Sequence, residues 1–260
     1  MARETVLERL ERGVLLLTLN RPQQRNAFNH AMWTELREAL AAALADDRVR
    51  AVVVTGAEGA FSAGQDLGEM GRRDADAGRE HGFASFMDEL CAFDKPLLAA
   101  VNGVGVGIGL TLLLHCDLVY IAEGARLRAP FVALGVVPEA ASSYLLPLQI
   151  GYQCAAEVFF TAAWIDAGRA VELGIASRAY APAELLPATL ARAEEIARQP
   201  LGSLRHTKRL MLAHRREGIR RAREGEDAGF RERLGSVENV EAIRAFFEKR
   251  PPDFTKLPAG

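Results

Sequence analysis

"PLLAAVNGVGVGIGLTLLLHCDLVYIAE", residues 96–123, places two continuous apolar runs, PLLAAVNG (96–103) and CDLVYIAE (116–123), around a glycine-punctuated apolar segment. Neither run alternates apolar with polar side chains, as a strand with one wet face would, so both read as strands covered on two sides. The segment between them, VGVGIGLTLLLH, reads as a turn leading into a buried helix. Strand, helical crossover and buried strand make up the unit of a parallel sheet.

The same unit occurs upstream. VLLLTLN (14–20) and AVVVTG (51–56) are β-favouring runs ending in turn formers, and HAMWTELREALAAALADD (30–47) between them has the apolar spacing of an amphipathic helix. From about residue 153 onward strand signals nearly vanish. AAEVFFTAAWIDAGRAVELG, AELLPATLARAEEIARQ, SLRHTKRLMLAHRREG and VENVEAIRAFFEKR all read as helices. The expected class is α/β with a C-terminal α-helical layer. GEMGRRDADAGREHG (68–82) is charged and glycine-rich, and reads as a surface loop or frayed helix that would serve as a lid.

With 49% hydrophobic and 25% charged residues, the 260-residue chain has enough apolar material for a sizeable core. A formal net charge of -2 gives no reason to expect nucleic acid or a membrane surface as partner. Cys91, Cys116 and Cys154 are widely spaced and form no C-x-x-C pair, which argues against a disulfide framework or a metal site and for thiols in a reducing compartment. The opening MARETVLERLERG lacks an apolar signal core, so a cytoplasmic location is expected.

Three segments have the composition for chemistry. GAFSAGQDL (59–67) follows a strand with small residues whose backbone N–H groups are open to a ligand. NGVGVGIGL (102–110) brings glycines 103, 105, 107 and 109 to the mouth of a helix, a place that favours an anion or a developing oxyanion. The glycines have no G-x-G-x-x-G frame and no Walker lysine follows, so nucleotide motifs are excluded. LGVVPEAASSYLLP (134–147) is apolar or small except for Glu139, and a carboxylate in such a stretch is costly unless it is paired, hydrogen-bonded or protonated. Taken alone, Glu139 also fits a first-turn acid of the helix that AASSYLLPLQ begins. The two roles are compatible.

NRPQQRNAFN (20–29), GAFSAGQDL (59–67), KPLLAAVNGVGVGIG (95–109), CDLVYIAEGARLRAP (116–130) and LGVVPEAASSY (134–144), in this order, resemble the enoyl-CoA hydratase/isomerase (crotonase) family across roughly residues 10–180. The resemblance implies a spiral of β-β-α turns in which two backbone N–H groups polarise an acyl-CoA thioester carbonyl. Carried onto this chain, the donors would be the N–H groups of Ala63 and Ile108, with Gly64, Gln65, Asp66, Leu67 and Gly107 beside them in the substrate cleft. Phe131, Leu134 and Tyr144 would line the acyl pocket.

Family hydratases use two glutamates, at positions that read Thr111 and Phe131 here. Glu139 lies where Δ3,Δ2-enoyl-CoA isomerases of the peroxisomal type carry their single catalytic glutamate. The resemblance therefore implies an enoyl-CoA isomerase of fatty acid metabolism with Glu139 as proton shuttle. Hydration, another enolate chemistry or non-catalytic acyl-CoA binding are the rival readings. No metal or redox cofactor is implied, because coenzyme A arrives as part of the substrate. A spiral core over 1–200, an oligomerisation region over 201–260 and a homotrimer or dimer of trimers are expected. The basic stretch at 205–224 reads as a solvated helical face; alternatively Arg205, Lys208 or Arg209 meets the CoA phosphates. Asp66, Asn102, His115 and Asp117 are read as turn, strand-end or capping residues.

Overall fold

The computed structural model describes residues 4–70 and 82–257, so most of the expected lid lies outside the described residues. Six strands form the larger sheet: β1 (Val6–Glu11), β2 (Val14–Leu19), β3 (Ala51–Gly56), β5 (Leu97–Val101), β7 (Leu118–Ala122) and β10 (Arg178–Tyr180). They lie in that order, parallel except for the β1–β2 hairpin. The smaller sheet holds β4 (Ala60–Ser62), β6 (Val104–Val106), β8 (Arg126–Arg128) and β9 (Ile165–Asp166). Each passage of the chain lays one strand in the large sheet and the next in the small one: β3 then β4, β5 then β6, β7 then β8. This alternation is the expected β-β-α spiral.

Helices α1 (His30–Ala45), α2 (Leu67–Met70), α3 (Gly82–Ala92) and α4 (Ile108–Thr111) connect these passages. The apolar stripe of α1 buries Met32, Trp33, Leu36 and Leu40 against the large sheet, and Trp33 meets Phe28 with ring centroids 4.3 Å apart. Asn102 fastens the bend from β5 to β6 back onto β3, accepting from Gly56 N at 3.1 Å and donating to Gly56 O at 2.8 Å. Gly103 has no room for a side chain there, since a Cβ would fall 2.9 Å from Ala60 Cα.

Downstream come α5 (Ser142–Ile150), α6 (Tyr152–Thr161), α7 (Ala167–Glu172), α8 (Pro182–Ala197), α9 (Leu201–Ala213), α10 (Arg216–Arg233) and α11 (Val237–Phe247). The structure corrects the all-helical reading of this half, because β9 and β10 interrupt it. They are two and three residues long and exist by pairing with β8 and β7, a stabilisation that no local periodicity reveals. The charged N-terminus likewise forms the edge strand β1, whose side chains are exposed after Val6. The helix expected within 104–115 is a single α turn followed by a 3-10 turn, Leu112–His115.

Candidate active site

Two glycine turns meet at the edge of the small sheet. Gly64, at φ +92°, approaches the second turn so closely that a Cβ would fall 2.8 Å from Val106 O. Gly107, at φ +54°, lies so near that its own Cβ would be 4.0 Å from Gly64 Cα. Only glycine meets these demands without strain.

The first turn is built from inside. Buried Asn26 donates to Ala57 O and Ala60 O, and Ser62 Oγ donates to Asn26 O at 2.9 Å while accepting from Gly64 N. Phe28 then pairs across Gln65: its N–H donates to Gly64 O at 2.8 Å and its carbonyl accepts from Asp66 N at 2.9 Å. This pairing turns the N–H of Gln65 away from Phe28, and it meets no acceptor among the described residues. The N–H of Ala63, expected from sequence to be the first oxyanion donor, is committed to Arg25 O at 2.9 Å. The open donor lies two residues further on.

In the second turn Gly107 N donates to Arg128 O at 3.0 Å, and Gly107 O accepts from Leu110 N and Thr111 N. The N–H of Ile108 opens α4 and has no acceptor among the described residues. Its side chain is wholly buried, so Ile108 serves the cleft through its backbone alone.

Glu139 precedes α5 on a loop that bends back over this turn, and its Oε1 is 3.8 Å from the position a Cβ on Gly107 would occupy. The next two residues, Ala140 and Ala141, take left-handed φ values of 60° and 58°. Two side chains anchor them. The Nε2–H of His115 donates to Ala140 O at 2.8 Å; burial lowers the pKa of this ring to about 4, so it is neutral at pH 7 and its proton sits on Nε2. Glu226 on α10 accepts from Ala141 N at 2.6 Å, and from Ser143 N at 2.8 Å and Ser143 Oγ at 2.6 Å. Nothing in the charged run of α10 marked Glu226.

These parts border a cleft of about 920 Å³, the size of a small-molecule site. Ala63, Gly64, Gln65, Asp66 and Leu67 form one wall. Gly107, Phe131, Leu134 and Glu139 line the cleft as well, and Trp164, Phe246 and Phe247 supply apolar surface. Tyr144 is absent from the cleft; its ring packs against Gly218 of α10, where a Cβ would have no space. Asp66 is held by Arg21 at 2.9 Å and by Gly68 N, as a turn residue should be. Arg205 and Arg209 clasp Asp94 at 2.8 and 2.6 Å, and Lys208 bonds Asp117 at 2.8 Å and Lys95 O at 2.9 Å. All three residues, weighed from sequence only as alternative phosphate ligands on a solvated face, are thus tied to partners on their own chain, and none of them lines the cleft.

Residues 9–257 match the family described as Enoyl-CoA hydratase/isomerase. The chain belongs to this family. It is 34% identical over 251 residues to 2,3-dehydroadipyl-CoA hydratase of Escherichia coli (strain K12), covering 96% of this chain and 98% of that protein. It is 32% identical over 253 residues to Enoyl-CoA delta isomerase 2 of Rattus norvegicus, covering 95% of this chain and 64% of that protein. An enoyl-CoA hydratase/isomerase structure from Pseudoalteromonas atlantica T6c superposes with a TM-score of 0.91 at 36% identity, over 96% of this chain and 99% of that one. The fold is thus the crotonase fold. Within this family's hydratase pattern, the two acid positions hold a buried threonine, whose Oγ1 has no partner among the described residues, and the cleft-lining Phe131.

Proposed function

We propose that this protein is an enoyl-CoA isomerase that moves a double bond from C3 to C2 of an acyl-CoA thioester. The observation that carries the reading is the Glu139 carboxylate beside Gly107, in a cleft where neither hydratase position bears an acid. Glu139 removes a proton from C2, and the electron pair left behind spreads through C3 and C4 and onto the thioester oxygen. The N–H groups of Gln65 and Ile108 receive that oxygen, replacing the Ala63–Ile108 pair expected from sequence. Such donors contribute about 10²–10³ in rate each, because they meet charge that develops only as the proton leaves. The same carboxyl group returns its proton to C4, the C2–C3 double bond forms, and the carbonyl is restored. One acid suffices, and coenzyme A enters only as part of the substrate.

Exposed Tyr152 and Phe160 on α6, and Leu148 on α5, fit burial between copies in a homotrimer or dimer of trimers. A cytoplasmic setting completes the reading.

The second reading, hydration, is favoured by the names of relatives such as the E. coli hydratase. The deciding experiment follows deuterium exchange at C2 of trans-3-hexenoyl-CoA together with double-bond migration, for the wild type and Glu139→Gln. Isomerase chemistry predicts both events in the wild type and a loss of roughly 10²–10⁴ in the variant. Exchange without migration would indicate another enolate reaction, to be checked by water addition to crotonyl-CoA. No exchange would indicate an acyl-CoA-binding protein.

A further inference from the structure

Glu226 lies 87 residues beyond Glu139 in the chain yet holds the backbone that follows it. It is only 7% exposed and lines the cleft from α10. One oxygen accepts from Ala141 N, and the other from both the N–H and the hydroxyl of Ser143. We propose that Glu226 is a positioning residue for Glu139, tying the C-terminal helical layer to the placement of the proton shuttle; this rests on the reading of Glu139 as the base.

The local chain explains why such an anchor is needed. The N-cap residue of α5 is Ala141, which has no side chain able to cap the helix, so its first N–H groups need an acceptor from elsewhere. Two consecutive alanines in the left-handed region persist only where the surroundings hold them. His115 holds the first by its carbonyl, and Glu226 holds the second by its N–H. With both held, the carboxylate of Glu139 is directed to one place beside Gly107. Both oxygens of Glu226 are already occupied by three donors, so the residue orients the loop and leaves proton transfer to Glu139.

Glu226→Gln keeps the shape of the side chain. Its single carbonyl oxygen can still accept from Ser143, but the amide NH2 then faces the N–H of Ala141 and releases it. A base misplaced by an ångström loses on the order of 10²-fold in rate. The expected result with trans-3-hexenoyl-CoA is therefore a fall in kcat of about 10–10²-fold, with KM nearly unchanged and C2 exchange falling in parallel. Ser143→Ala removes only the hydroxyl donor and leaves both amide bonds, so its fall in kcat is smaller. Circular dichroism and thermal melting check that both variants fold. A folded Glu226→Gln with wild-type kcat overturns the proposal, as does one whose KM rises while kcat holds, since Glu226 would then only build the wall. Glu139→Gln, measured in parallel, separates the two readings. Full turnover in that variant means that the assignment of the base has failed, whereas inactivity beside a fully active Glu226→Gln means that only the positioning role has.

Discussion

His115 contributes to the site without touching its chemistry. Its ring is neutral because burial holds its pKa at about 4, against an ordinary value of 6.5. The folded state therefore binds this proton less readily than the unfolded chain. The stabilisation is complete above pH 6.5 and is lost as pH falls towards 4. The ring keeps some solvent contact, so the loss is on the order of 1–2 kcal/mol. Denaturant unfolding at several pH values across that window should show the decline, and His115→Gln should flatten it; an equal slope in the variant would sink the assignment. Gly107 makes a second prediction at this scale. Gly107→Ala forces an L residue into φ +54°, ψ −118°, with its new methyl beside the Glu139 carboxylate. A cost of about 1–3 kcal/mol in stability and a clear fall in kcat are expected, readable by thermal melting and steady-state kinetics.

Among the elements, α11 depends on one buried amide for its seat. Asn239 donates to Leu134 O at 2.8 Å and accepts from Gly235 N at 3.0 Å, while Gly135 lets the helix approach within a distance that a Cβ would block. Phe246 and Phe247 reach the cleft from this helix. Asn239→Ala leaves the Leu134 carbonyl without its partner and should lower stability by about 1–3 kcal/mol. It should also raise KM for acyl-CoA more than it lowers kcat, because it loosens a wall and leaves the base in place. A fall confined to kcat would show that α11 acts on Glu139 instead. At the same scale, the inner strands β2, β3, β5 and β7 of the large sheet are legible in the sequence because each is an apolar run buried on both faces. Those of the small sheet are two to three residues long, and only pairing defines them.

For the whole molecule, the proposed assembly predicts a sedimentation mass of three or six chains of 28.3 kDa each. Tyr152 and Phe160, 73% and 72% exposed in the single chain, would become protected on association. A monomer at micromolar concentration would remove the trimer from the reading while leaving the cleft as described. The C-terminal helices, expected from sequence to serve oligomerisation, build the cleft of their own chain, because α10 and α11 supply Glu226, Asn239 and two phenylalanines to its wall.

What the sequence determined by itself was the architecture and the one acid worth testing. Burial averaged over an element leaves a periodic trace, and a charge among apolar neighbours stands out wherever the chain goes. Directions and distant meetings came from the packing of the folded chain. Which N–H of SAGQD is open depends on the strand pairing of Phe28 with Gln65, which commits Ala63 to Arg25 and turns Gln65 outward. Tyr144 left the cleft because Gly218 offers its ring a flat surface on a helix more than seventy residues away. Glu226 looks in sequence like any acid in a charged helix, and it becomes a cap for α5 only once α10 has folded across it. Single hydrogen-bond directions and long-range contacts arise from packing, and no local pattern of residues carries them.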